Sequence, residues 1–178
     1  MATLRISRRH LRRAGERAVQ LVVQRTQEGT DRHGADFQPY STTPFAMPAG
    51  GGAHGALKRL VDNDEASFFE TKKGALWAVV EGGYAAYKAE RYGQDGGAVN
   101  LTATGSMLRS LQVVSVQQSA TSGQVTVGFA RIEDAEKAYY HSVAGAGPGK
   151  TIRDFMGLTD AEEEIVAQEV AEGLTIAF

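Results

Sequence analysis

The segment AGAGPGKT, Ala144 to Thr151, fits the permissive phosphate-loop pattern, in which backbone N–H groups and a helix N-terminus hold nucleotide phosphates. That chemistry needs a buried strand before the loop and a helix after it. The preceding residues, EKAYYHSV, lack the continuous β-branched run of a buried parallel strand. Pro148 removes one N–H from the loop itself. Beyond Thr151 no apolar strand ends in a metal-binding Asp, and no βαβ alternation surrounds the motif. The nucleotide reading is set aside, and the segment reads as a loop.

Other residue types that carry chemistry are scattered. His10, His33, His54 and His141 form no H-E-x-x-H pair on one helix face. Asp62 and Asp64 begin like a calcium loop, but the third acidic position and the turn glycine are missing. The DAEEE cluster is a helix N-terminal charge group rather than an acid–base pair. There is no G-x-S-x-G elbow, and no cysteine to act as a nucleophile, disulfide partner or zinc ligand. No enzymatic activity, metal or cofactor is expected.

The 178 residues, 42% hydrophobic and 22% charged, have the balance of one ordinary globular domain. No stretch approaches the ~20 apolar residues that span a bilayer, so no membrane partner is expected. The N-terminus is too charged for a secretory signal; its Arg-rich amphipathic character fits a transit peptide, but nothing else supports import. The net charge of −2 hides a polar distribution. Residues 1–25 carry seven arginines against Glu16 alone, while residues 154–178 carry seven carboxylates and no Lys or Arg. Such asymmetry suits intramolecular neutralisation, head-to-tail subunit contacts or a basic surface facing nucleic acid, as well as plain solvated helix faces.

The elements that would position these groups follow from periodicity. Ser7 is placed to cap a basic helix within 1–26, its inner face marked by Leu11, Ala14, Ala18, Val22 and Arg25. EGTDRHGADF stops it. Residues 41–56, rich in Pro and Gly, read as a flexible loop that orders on assembly. An inserted hairpin region over 57–83 contains two strands joined through KKG. YAAYKAERYG is a short helix or an extended arm, and Thr102 or Thr104 is expected to cap a helix carrying Met107, Leu108 and Leu111. LQVVSVQQSATSGQVTVGFA is the clearest hairpin, and IEDAEKAYYHSVAGAG gives a helical turn or two. Thr159 and Glu162 form a capping box for an acidic helix closed near Gly173, and LTIAF would add an edge strand. The expected fold is α+β in a single domain, 1–178. A small antiparallel or mixed sheet is packed by an N-terminal and a C-terminal helix, with an inserted hairpin and a Pro/Gly loop.

Several segments, taken in order, resemble the bacteriophage virion morphogenesis proteins of Mu-like and related tailed phages, also called tail completion or head–tail joining proteins. DRHGADFQPYS resembles the family's early turn, GYAAYKAERYGQDGGAVNLTATGSMLRSLQV its centre, VTVGF the following strand and GKTIRDFMGLTDAEEEIV its closing segment. Met156 stands where Leu is usual, and Ile152 where Pro is common. The resemblance implies a structural neck or tail-end protein that terminates the tail and joins it to the head. It would be made in the host cytoplasm and held in the virion as a homo-oligomeric ring, a hexamer for preference, against tail-tube and connector (portal, adaptor, stopper) proteins. Ring closure needs two unlike complementary faces. Arg8, Arg9, Arg12, Arg13, Tyr84, Tyr87, Tyr92, Arg153 and Phe155 are then the candidate interface residues, with core packing as the equal alternative for the tyrosines. Alternatively, Arg8 and Arg12 contact DNA passing through a channel, or the chain is a nucleic-acid-binding module working through its Arg-rich helix.

Overall fold

A computed structural model describes residues 3–93, 99–119, 122–147 and 149–177. Pro148, Phe178, and Ala120 and Thr121 of the SATSG segment expected to turn, lie outside them. The fold is α+β, with every strand pairing antiparallel. Where one domain and one sheet are expected, the chain divides into two compact units and its strands into separate small sheets. Residues 1–37 and 100–178 form one unit, and 38–99 the other.

The first unit is built on the helix α1 (Arg8–Glu28). Ser7 Oγ accepts the His10 N–H at 3.3 Å, and Gly29, left-handed at φ 90°, ends the helix. Its apolar stripe is buried at Leu11, Ala14 and Val22, with Arg25 and Thr26 buried beside them. The stripe lies on a hairpin of β5 (Leu111–Gln118) and β6 (Gly123–Phe129). The approach is close: a Cβ on Gly15 would sit 2.4 Å from Val125 Cγ1 and 2.8 Å from Val113 Cγ2. Against another side of α1 lies α6 (Asp160–Glu172). An unanticipated strand, β1 (Thr3–Ile6), precedes the basic helix and pairs with β7 (Leu174–Ala177), so the expected terminal edge strand has the other end of the chain as its partner.

Helix α6 fully buries none of its residues, so its packing on α1 is reinforced at its ends. Thr159 and Glu162 form the expected capping box, with Thr159 N–H to Glu162 Oε2 at 2.8 Å and Glu162 N–H to Thr159 Oγ1 at 3.2 Å. At the other end, a Cβ on Gly173 would fall 2.4 Å from His10 Cβ. Helix α4 (Ser106–Ser110) precedes the hairpin and α5 (Ile132–Tyr139) follows it, the two packing together, and α5 continues into a π turn at Tyr140–Ala144. The expected cap of α4 is corrected. Gly105, left-handed at φ 68°, is the capping residue, Thr104 Oγ1 only reaches Ser106 N–H at 3.4 Å, and Leu111 already belongs to β5.

The second unit corrects the expected flexible loop. Residues 41–56 contain β2 (Phe45–Pro48), a 3-10 turn at Gly51–Ala53 and the start of α2 (His54–Asp62). Strand β2 is an edge of the sheet ordered β2–β4–β3, with β3 (Ala66–Glu70) and β4 (Leu76–Val80), which is where a strand proline costs no ladder bond. The 57–83 hairpin region likewise begins with helix. Ala56, Leu57 and Leu60 turn one apolar face of α2 onto Ala78 and Val80 of β4 and Tyr87 of α3 (Gly83–Tyr92). Burying each large aliphatic side chain there contributes ~1.5–3 kcal/mol. The Tyr84 segment is a helix, not an extended arm.

Candidate functional site

The phosphate-loop match folds on itself. Ala146 and Thr151 bridge through N–H···O bonds of 2.9 and 3.1 Å, and Lys150 N–H bonds Gly147 O at 3.1 Å. Those donors are spent inside the turn. The segment follows a π turn rather than a strand, and the next helix opens only at Asp160. Gly145, at φ 82°, packs so tightly that a Cβ would lie 2.2 Å from Lys150 O. The glycines therefore serve a close backbone crossing.

The histidines and the Asp62 turn also have local roles. His10 Nδ1 lies 2.8 Å from Ser7 Oγ, and His54 Nδ1 lies 3.0 Å from Ala49 O with its ring stacked on Phe68. His33 Nε2 stands 3.8 Å from Asp154, and the His141 carbonyl accepts Arg153 N–H at 2.7 Å. Asp64, left-handed at φ 61°, turns the chain out of α2. Among the described residues no three His, Asp or Glu side chains gather as a metal site, and no helix is long and apolar enough to cross a membrane.

The nine candidate interface residues divide. Phe155 is fully buried and Arg153 nearly so, both inside the first unit, and Tyr87 is in the core of the second. These three are packing residues: this corrects the assignment of Arg153 and Phe155 to a subunit surface and gives Tyr87 its alternative reading, core packing. Tyr84 is 40% exposed, yet its ring meets Tyr40 edge-on at 5.3 Å and Phe45 at 5.9 Å. Tyr92 receives the buried Lys88 ammonium 4.4 Å from its ring centre. On α1, Arg13 pairs with Glu169 of α6 at 2.9 Å. Arg8, Arg9 and Arg12 are exposed, as is Arg17, and none of the four makes an ion pair among the described residues.

Arg25 is a centre that its place in the apolar stripe could have signalled. Its guanidinium donates to Phe155 O at 2.8 Å and Gly157 O at 2.9 Å, and pairs with the same Glu162 carboxylate that caps α6. Arg32 adds a second tie, pairing with Asp154 at 2.8 Å while its N–H bonds the Asp154 carbonyl at 2.9 Å. The DRHGADF and RDFMGL segments, distant in sequence, thus interlock.

A further buried charge ties α4 to α5. Asp134 is fully buried, which alone would raise its pKa, but hydrogen bonds from Lys137, Arg131, Ser110 and Ser106 outweigh burial and hold it at about 2. Its packing leaves the opposite side of α5 bare. Ile132 (73% exposed), Tyr139 (55%), Tyr140 (57%) and Val143 (59%) recur at helical spacing there. Ile152 (56%) joins them, because Arg153 N–H bonds the His141 carbonyl and returns the chain to the π turn. Arg131, Glu133, Glu136, Lys137 and Lys150 are exposed charges on or next to these same segments.

The chain matches no family model, no curated protein and no solved structure. Candidate surfaces therefore stand on geometry. The apolar stripe went unread in the sequence because IEDAEKAYYHSV looks like any amphipathic turn until Asp134 shows which side faces inward.

Proposed function

We propose that this chain is a structural subunit of a tailed-phage neck or tail end, assembling as a ring that completes the tail and joins it to the capsid. The observation that carries the reading is the exposed stripe Ile132–Tyr139–Tyr140–Val143–Ile152. Tyrosine and branched aliphatic side chains bordered by charges have the composition of an interface core with a polar rim. The interlocking of the early-turn and closing segments supports the resemblance to virion morphogenesis proteins, since both quoted motifs serve one structural junction. In this reading the ring acts by burying shape-matched surface against its own copies and adjoining virion proteins. Light scattering of the purified chain alone and mixed with tail tubes tests it. A larger species that binds tube ends, and presence of the chain in mature virions, are expected. A permanent monomer absent from virions contradicts the reading.

A further inference from the structure

We propose that the exposed guanidinium face of α1, formed by Arg8, Arg9, Arg12 and Arg17, is a docking surface for the phosphate backbone of duplex DNA. The inference stands on the charges of this helix and does not depend on ring assembly. All four side chains are exposed and without an ion pair among the described residues, while Arg13 is drawn to Glu169 and Arg25 to Glu162. The acidic C-terminal helix therefore leaves this part of the basic helix uncompensated, and only Glu16 offsets it locally.

Spacing fits a polyanion. Arg8 and Arg12 stand one turn apart with Arg9 beside them, so three guanidinium groups share the opening turns of α1, while Arg17, about half a helical circumference from Arg8, carries the positive charge to the other border of the exposed arc. The other exposed residues of α1 are Arg13, Glu16, Gln20, Gln24, Gln27 and Glu28, so its exposed side offers no apolar anchor of the kind a protein interface centres on. That anchor lies elsewhere, on α5. The first turn of α1 also contains no acidic residue and instead begins Arg8–Arg9, against the positive end of the helix dipole, whereas α6 opens with Asp160, Glu162 and Glu163. An anion at the start of α1 satisfies the guanidinium groups and the dipole together.

Fluorescence anisotropy of a labelled random-sequence duplex, titrated with the full chain between about 50 and 200 mM salt, tests the proposal. Affinity should fall with a log–log slope of about −3 to −4 per chain and be indifferent to sequence. The variant R8Q/R9Q/R12Q/R17Q should bind ~100-fold or more weakly at low salt with a nearly flat slope, and the matching four-lysine variant should keep most of the binding. The glutamine variant should melt no lower than the parent, because these side chains are exposed, make no ion pair among the described residues, and the dipole repulsion is relieved. Equal affinity and slope for parent and glutamine variant, no duplex binding by the parent at low salt, or polyglutamate bound as tightly as duplex would each overturn it. A monomer that binds duplex keeps this inference and refutes ring assembly, whereas a ring indifferent to duplex does the reverse.

Discussion

Arg25 shows how one side chain joins three parts of a fold. It leaves α1, donates to two backbone carbonyls of the closing segment and meets the carboxylate that also caps α6. Removing one member of a buried pair strands the other, at a cost of ~3–5 kcal/mol. Arg25→Met should therefore lower unfolding free energy by ~3 kcal/mol in urea titration; a loss within the error of a surface substitution would remove this junction from the account. Asp134 makes a separate prediction in acid. Its folded pKa of about 2 lies below the ordinary 3.8, so its contribution is fully present above about pH 4 and is lost as pH falls toward 2. Asp134→Asn should be less stable than the parent at neutral pH and should flatten the fall in stability between pH 4 and 2. A parallel acid limb in both proteins would contradict the assigned linkage.

At the scale of elements, close approach decides more than propensity. Gly15 sits mid-helix, where glycine ordinarily costs ~0.5–1 kcal/mol against alanine. Its absent side chain admits Val125 and Val113 of the hairpin. Gly15→Ala should destabilise the protein by ~2 kcal/mol despite its better helix propensity, because neither β-branched neighbour can swing away. A more stable variant would show that α1 and the hairpin are not in this contact. The same contrast separates what the sequence made legible from what it hid. Ser7, the Thr159–Glu162 box, the two strands flanking KKG and the valine-rich hairpin are local patterns, and each is present in the fold. Residues 41–56 misled because glycine and proline register as breakers, whereas Phe45 and Met47 pack on a core that becomes evident only once α2 and β4 are placed beside β2. β1 was unreadable for a related reason: a four-residue strand becomes evident only when its partner, the opposite end of the chain, is known.

For the whole molecule, the lopsided charge resolves into two parts. Arg13–Glu169 and Arg25–Glu162 neutralise within the chain, and the remaining arginines of α1 face solvent. Apolar exposure in the first unit concentrates on α5 and the adjoining turns, a different surface from the arginine face of α1. One surface suited to burial and another suited to an anion fit the proposed self-assembling, DNA-adjacent structural role. The most direct measurement of that claim is sedimentation velocity of the full chain beside the variant Ile132→Ser/Tyr139→Ser/Val143→Ser. Loss of interface anchors worth ~2 kcal/mol or more each should turn a closed oligomer into a monomer with unchanged circular dichroism. A parent that stays monomeric at every concentration, or a variant that assembles as the parent does, would contradict the account.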